Sequence, residues 1–316
     1  MSDSSEPPGR WDADYHAPVM VAEVLALLSG ARTVLDGTLG GGGHTLALLE
    51  RGSHVVATDR DPEAIASARA RLAEHERSGR FEAVLGNYAD VDRLEPLVGR
   101  RFEGVLLDLG VSSHQLDDPA RGFSFREGVA LDMRMGDDAD GDAASFLAEA
   151  DERELADALR RYADEPRAPR LAREIVRRRS NRPIETSDDL VGAIRGALGP
   201  RSGPGDFARI FQAIRIAVND ELRGLERALP ALRDRLEPGG TFVVIAYHSG
   251  EDRIVKDAFR EWSRDCICPP RQPFCTCRGR ALGELVTRKA ESASEEEAAR
   301  NPRARSARLR AWRSAR

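Results

Sequence analysis

Four short apolar runs alternate with helical segments in the first third of the chain, and this alternation restricts the fold more than any other feature. Thr33–Asp36, His54–Thr58, Phe81–Leu85 and Gly104–Asp108 are rich in Val and Leu. They lack the polar–apolar alternation of a sheet with one wet face. Strands so apolar are covered on both sides, which implies a parallel sheet between layers of helices. Pro18–Leu28, the stretch from His44, and Pro62 to about Arg77 carry helical spacing between and before them. Pro62 stands at a helix start, where its missing N–H would have no partner anyway. The next run of this kind, Thr241–Tyr247, comes only after the turn Glu237-Pro238-Gly239-Gly240, far beyond the reach of one crossover helix. Between them Ala143–Ala150, Glu152–Ala163, Pro169–Arg179, Ser187–Leu198 and Phe207–Leu236 place apolar residues three and four apart. The expected organisation is a flexible N-terminal tail (1–15), a core of 16–114 and 207–300, an inserted helical unit (115–206) and a basic C-terminal tail (301–316).

With 316 residues, 41% of them hydrophobic, the chain can bury two cores. Its net charge of −5 does not announce a nucleic-acid binder, so any such surface is local. Two places supply it in sequence: Arg170, Arg173, Arg177, Arg178 and Arg179 on one helix, and the acid-free C-terminal segment with Arg303, Arg305, Arg308, Arg310, Arg313 and Arg316. No apolar run approaches the roughly 20 residues of a membrane span, and the polar N-terminus lacks the pattern of a signal peptide. A cytoplasmic location without membrane contact is expected.

Asp36-Gly37-Thr38-Leu39-Gly40-Gly41-Gly42-Gly43-His44 follows a strand and opens a helix. Glycines let the backbone approach a ligand closely, and a helix N-terminus favours carboxylate or phosphate groups. The G-x-G-x-x-G fingerprint fails, because the third position falls on Thr45 or Leu46, and no Gly-Lys-Ser/Thr makes a P-loop. Asp59 ends the second strand, where a carboxylate can accept hydrogen bonds from ribose hydroxyls; capping the next helix could fall to Asp61 instead. Together these point to an adenosine-containing cofactor without separating a dinucleotide from S-adenosylmethionine. Asp108 ends the fourth strand at the same sheet edge. It could bind that cofactor, or accept the N–H bonds of an exocyclic amine and raise its electron density. Attack at cytosine carbon-5 would need a Cys nucleophile at this edge, yet all four Cys lie between Cys266 and Cys277.

HAPVMVAEVL (from His16), DGTLGGGGH (Asp36), LLDLGVSSHQLDD (Leu106), RGFSF (Arg121), LDMRM (Leu131), FQAIRIAVNDEL (Phe211), HSGEDRIVK (His248) and NPRARSARLR (Asn301) run through nearly the whole chain in order. This set resembles the MraW (RsmH) family of bacterial 16S ribosomal RNA (cytosine-N4)-methyltransferases. The resemblance implies an α/β class I, Rossmann-like S-adenosylmethionine-dependent methyltransferase core with an inserted all-helical subdomain. It puts cofactor contacts on Gly42, Gly43, His44, Asp59, Tyr88, Asp108 and Gln115, with Tyr88 against the adenine ring. It further implies N4-methylation of cytosine 1402 in the decoding region of 16S ribosomal RNA, within the small ribosomal subunit. His114 stands where the family usually has Pro, Gly250 where it has Leu, and GDFARIFQ varies a block before Phe211.

Asp108, His248 and Asn219 are the candidates for substrate chemistry, His248 and Asn219 being equally suited to structural hydrogen bonds. Cys266-x-Cys268 and Cys275-x-Cys277 offer four thiols, but C-x-C is tighter than the usual zinc spacing, and the sequence alone assigns no metal. A DNA amino-methyltransferase is the first rival; its (D/N/S)-P-P-(Y/F) motif is replaced here by Asp108-Leu109-Gly110-Val111. A dinucleotide-dependent oxidoreductase and a non-catalytic RNA-binding module are the others. Sequence leaves the oligomeric state open, a dimer included.

Overall fold

The computed structural model describes residue 11, residues 18–269, residue 272 and residues 274–316. Apart from Trp11 the expected N-terminal tail lies outside the described residues, as do His16 and Ala17 of the first sequence block. Helix α1 (Val21–Leu27) leads into β1 (Thr33–Asp36), α2 (Gly43–Glu50), β2 (His54–Asp59), α3 (Pro62–Arg71), α4 (Ala73–Arg77), β3 (Phe81–Leu85) and β4 (Phe102–Asp108). The single helix expected from Pro62 to Arg77 is thus broken at Leu72.

After Gly110 the chain builds a second compact unit, Val111–Arg223. It contains α5 (Ser113–Asp117), α6 (Ala143–Glu149), α7 (Glu152–Ala163), α8 (Ala168–Arg179), α9 (Ser187–Leu198) and α10 (Pro204–Val218). Capping boxes at Asp151/Glu154 and Thr186/Asp189 start α7 and α9, satisfying amides that have no partner within the helix. The apolar stripes meet in one core around Leu155, Leu171, Ile175, Ile194, Ile210 and Ile214. This unit is longer than the expected 115–206. The pattern from Phe207 to Leu236 is two helices: Asp220 takes a left-handed φ of 51° and separates α10 from α11 (Glu221–Arg233). Phe207, Ile210, Phe211 and Ile214 therefore belong to the helical core, whereas Leu225, Leu229 and Leu232 belong to the sheet.

From Gly224 the chain rejoins the first unit with β5 (Leu236–Ala246), α12 (Ser249–Trp262), β6 (Gly283–Leu285), α13 (Glu295–Arg300) and β7 (Arg308–Ser314). The turn expected at Glu237–Gly240 is an irregularity inside β5, where the partners of Phe102 and Gly104 jump from Leu236 to Thr241 and Gly239 has φ 81°. The sheet order is β3-β2-β1-β4-β5-β7-β6. Strands β1 to β5 pair in parallel, and β7 runs antiparallel to both β5 and β6. Alternate residues feed two apolar layers. Val34, Val55, Leu106 and Val243 face one, and Leu35, Val56, Leu107 and Val244 face the other, which is why the strands read as continuous apolar runs. This is the class I, Rossmann-like arrangement. Its order reverses between β1 and β4, the point at which sheets of this kind form a ligand crevice at the carboxyl ends of their strands.

The expectation of a basic C-terminal tail is wrong. Residues 302–306 form a 3₁₀ turn, and β7 fills the slot between β5 and β6. Leu309, Ala311 and Trp312 are fully buried. Arg310 makes a two-pronged ion pair with Asp252, at 2.7 and 3.0 Å, and Arg308 donates to Ser292 Oγ. The arginines alternate with apolar residues because they sit on a strand.

Candidate functional site

Three carboxylates end neighbouring strands at the crevice: Asp36 on β1, Asp59 on β2 and Asp108 on β4. Asp36 is buried and accepts from Thr45 Oγ1 at 2.7 Å and from the Thr38 amide at 3.0 Å. It thereby ties the glycine turn to the first turn of α2, and burial pushes its carboxyl upward. Thr38 Oγ1 accepts the Asp108 amide at 2.7 Å, so the turn is fastened to β4 as well. Gly40 and Gly42 take φ values of 48° and 73°, which L side chains rarely adopt. Gly42 is the N-cap of α2 and offers no side chain to its amides. A Cβ on Gly43 would lie 2.7 Å from the Pro18 ring, so only glycine fits there.

Asp59 is held by the glycine rim itself. The Gly40 amide donates to its Oδ2 at 2.8 Å and the Asp61 amide to its Oδ1 at 2.9 Å. Burial pushes its carboxyl up to about 6. Asp61 does the capping of α3, accepting from the Glu63 amide, so the carboxylate of Asp59 is not spent on the helix. Tyr88 opens a short 3₁₀ turn (Tyr88–Asp90) capped by Asn87. A Cβ on Gly37 would lie 3.2 Å from Tyr88 Cβ, so this half-buried side chain leaves the backbone beside the turn.

His44 is buried, with Nε2 2.8 Å from the carbonyl of Val19 and Nδ1 3.6 Å from Asp108 Oδ2. A carbonyl can only accept, so Nε2 carries a proton. The other oxygen of Asp108 accepts the Tyr247 hydroxyl at 2.8 Å. Gly42, Gly43, His44, Asp59, Tyr88 and Asp108 therefore meet around one turn. Asp36, Thr38 and Tyr247 belong with them and were not singled out in sequence. Asp36 and Tyr247 could have been found there, since each ends or directly follows a strand that neighbours β4.

The remaining candidates have local duties. Gln115 lies in the second unit, where its side chain accepts the Ser112 amide at 3.0 Å in the capping box of α5. Asn219, also in that unit, is buried. It accepts the Met135 amide at 2.8 Å and donates to the carbonyls of Met133 and Arg215 at 2.7 and 2.9 Å. His248 caps α12 through Nδ1, which accepts the amides of Gly250 and Glu251. Its proton therefore sits on Nε2, which is 3.2 Å from Glu251 Oε1 but out of line for a hydrogen bond. Glu251 Oε2 reaches back to the Tyr247 amide at 2.8 Å, so this cap anchors the residue that holds Asp108.

The helical arginines are largely engaged within the protein. Arg173 pairs with Glu152, Arg177 and Arg178 share Glu174, and Arg179 donates to the carbonyls of Leu147 and Ala150. Among the described residues no helix is long and apolar enough to cross a membrane.

Residues 13–315 match the profile of the MraW methylase family. The chain is 66% identical over 311 residues to the ribosomal RNA small subunit methyltransferase H of Gemmatimonas aurantiaca, with 98% of each chain covered. It is 44% identical over 307 residues to the protein of the same name from Heliobacterium modesticaldum, covering 94% of this chain and 97% of that one. With the Anaeromyxobacter dehalogenans protein of that name the identity is 47% over 307 residues, covering 95% and 98%. Matched over nearly its whole length by both profile and relatives, this chain belongs to the MraW methylase family.

Proposed function

We propose that the protein transfers a methyl group from S-adenosylmethionine to the exocyclic N4 of a cytosine in 16S ribosomal RNA, at cytosine 1402, acting on the small ribosomal subunit. The observation that carries this reading is the pair of strand ends at Asp59 and Asp108, both fastened to the glycine turn, Asp59 through its carboxylate to the Gly40 amide and Asp108 through its backbone amide to Thr38 Oγ1. Family membership and the names of the relatives support the ribosomal substrate.

The site fits the cofactor by its donor set. Asp59 has both oxygens oriented by amides and keeps lone pairs for ribose hydroxyls. Tyr88 offers a half-buried aromatic face for adenine. Gly42, Gly43 and His44 open α2, whose amide-rich end suits the amino-acid carboxylate. Family resemblance also names Gln115, on α5 of the second unit, as a cofactor contact. When bound, S-adenosylmethionine supplies an electrophilic methyl group on a sulfonium centre.

The nucleophile is weak because its lone pair is delocalised into the base. A carboxylate that accepts its N–H bonds raises the density on nitrogen and fixes the line of approach. Asp108 has that chemistry and is itself held by Tyr247 and faced by His44. No covalent intermediate is needed, and positioning supplies most of the rate. His248 and Asn219 are spent on a helix cap and on backbone carbonyls and amides: the His248 cap supports Tyr247, and Asn219 is structural. The cytosine must leave its stack to reach the crevice.

Nucleoside mass spectrometry of 16S ribosomal RNA from cells lacking the protein tests the assignment, together with labelled-methyl transfer to undermethylated subunits, free RNA and duplex DNA. Loss of N4-methylcytidine in the cells and incorporation into the subunits are expected. Preferential labelling of DNA would make it a DNA amino-methyltransferase, and RNA binding without turnover would make it a non-catalytic module.

A further inference from the structure

Between α12 and β6 the chain runs through residues 263–282 without helix or strand among the described residues. A connection of that length needs something to hold it, and among its described residues there is no apolar core of its own. Ile267 and Phe274 are 36% and 79% exposed. At its centre the two C-x-C pairs converge: all four Sγ atoms lie within 4.8 Å of one another. Cys275 Sγ is 3.9 Å from Cys266, 4.0 Å from Cys268 and 3.5 Å from Cys277, and Cys277 is 3.9 Å from Cys266. A disulfide needs about 2.05 Å, and all four thiols are free.

We propose that Cys266, Cys268, Cys275 and Cys277 hold one zinc ion in a closed, tetrahedral four-thiolate site. With Zn–S near 2.3 Å, the edge of such a tetrahedron is about 3.8 Å; four of the six sulfur pairs stand at 3.5–4.0 Å and all six lie within 4.8 Å. Two backbone amides point at sulfur, Ile267 N–H at Cys277 (3.3 Å) and Thr276 N–H at Cys268 (3.4 Å). Amides aimed this way stabilise negative charge on thiolates and fix their orientation. Four soft sulfurs in a tetrahedron select zinc over hard cations. Because all four positions are taken by protein, no coordination site remains for a substrate or water, and the ion is structural. It does for this loop what a hydrophobic core does elsewhere. The loop ends are placed for it: the Leu282 amide donates to the Trp262 carbonyl at 2.7 Å, and the Ala281 amide to Asp265 at 3.1 Å.

The C-x-C spacing made this a weak signal in sequence; the convergence of the two pairs changes its weight. The site shares no residue with the methyl-transfer crevice and stands or falls independently of it.

The test is metal analysis of the full chain, purified under reductant and without chelator. About one zinc per chain is expected, and the Cys266→Ser/Cys277→Ser double variant should lose it while far-ultraviolet dichroism stays at the wild-type level. If that variant does not fold, cobalt exchange of the wild-type chain decides. One equivalent of cobalt(II) should give the intense thiolate-to-metal charge-transfer and visible bands of a tetrahedral sulfur site. After chelation, trypsin should cut first within residues 264–280. Zinc that stays far below one per chain after zinc-supplemented refolding would overturn the proposal. So would iron in its place, full zinc retention by the double variant, or disulfides between these cysteines in freshly prepared reduced protein.

Discussion

The hydroxyl of Tyr247 donates a 2.8 Å hydrogen bond to Oδ1 of Asp108, bridging the carboxyl ends of two neighbouring parallel strands, β5 and β4. Burial, with the nearby Asp108 charge, holds the phenol well above its ordinary range, so it stays a neutral donor at any working pH. A hydrogen bond to a charged group contributes roughly 1.5–3 kcal/mol. Tyr247→Phe should therefore slow single-turnover methyl transfer about ten- to a hundredfold with an unchanged circular dichroism spectrum. A rate equal to wild type would show that Asp108 does not depend on this donor.

With Asp59 as the proposed ribose contact, cofactor affinity should depend on pH. Its carboxyl is pushed up to about 6 by burial, and ribose hydroxyls bind its ionised form better. Binding should be full above neutrality and weaken as pH falls through about 6, approaching tenfold per unit below it. For folding the sign is opposite. A carboxyl raised in the folded state favours the protonated native form, so its contribution is present at low pH and is lost as pH climbs from the ordinary value of 3.8 towards 6. Calorimetric titration with S-adenosylhomocysteine between pH 5 and 8 reads the first effect. Asp59→Asn should bind weakly with no pH dependence in that range; a pH-independent wild type would remove Asp59 from the binding site.

The last strand is structural, so its loss should be severe. Trp312 is fully buried against Phe259 and Trp262 at centroid distances of 6.4 and 5.3 Å. Trp312→Ala should cost about 3–5 kcal/mol, and a chain ending at Ala307 should be insoluble, since it exposes the edge of β5. A truncated chain that melts like the full one would return this segment to the status of a tail.

Much of this fold was legible because β1 to β5 are buried on both faces and show it as unbroken Val and Leu runs. The glycine turn and the two acidic strand ends were legible for the same reason, since strand ends fix which residues face the crevice. What escaped had a competing signal. In Arg308–Ser314 the positive charge masked the alternation of Arg308, Leu309, Arg310 and Ala311, which is the period of a strand. At Asn219-Asp220 the apolar spacing continues across the break between α10 and α11, so periodicity alone merged two helices and moved a unit boundary. The partnership of Tyr247 with Asp108 depends on the register of β4 against β5, which spacing along a single chain does not encode.

Asn219 separates a structural from a chemical role. Met133 holds a left-handed φ of 59°, a conformation that costs a side-chain-bearing residue on the order of 1 kcal/mol or more. Asn219 secures it by donating to the Met133 carbonyl and accepting the Met135 amide. Asn219→Ala would leave two buried backbone groups without these partners, at a cost of about 2 kcal/mol or more. It should lower the melting temperature and speed amide exchange at Met135, while methyl transfer at saturating RNA and low temperature stays within about twofold of wild type, as expected where no transition-state contact is lost. A hundredfold loss of turnover with unchanged melting would instead place this side chain on the substrate.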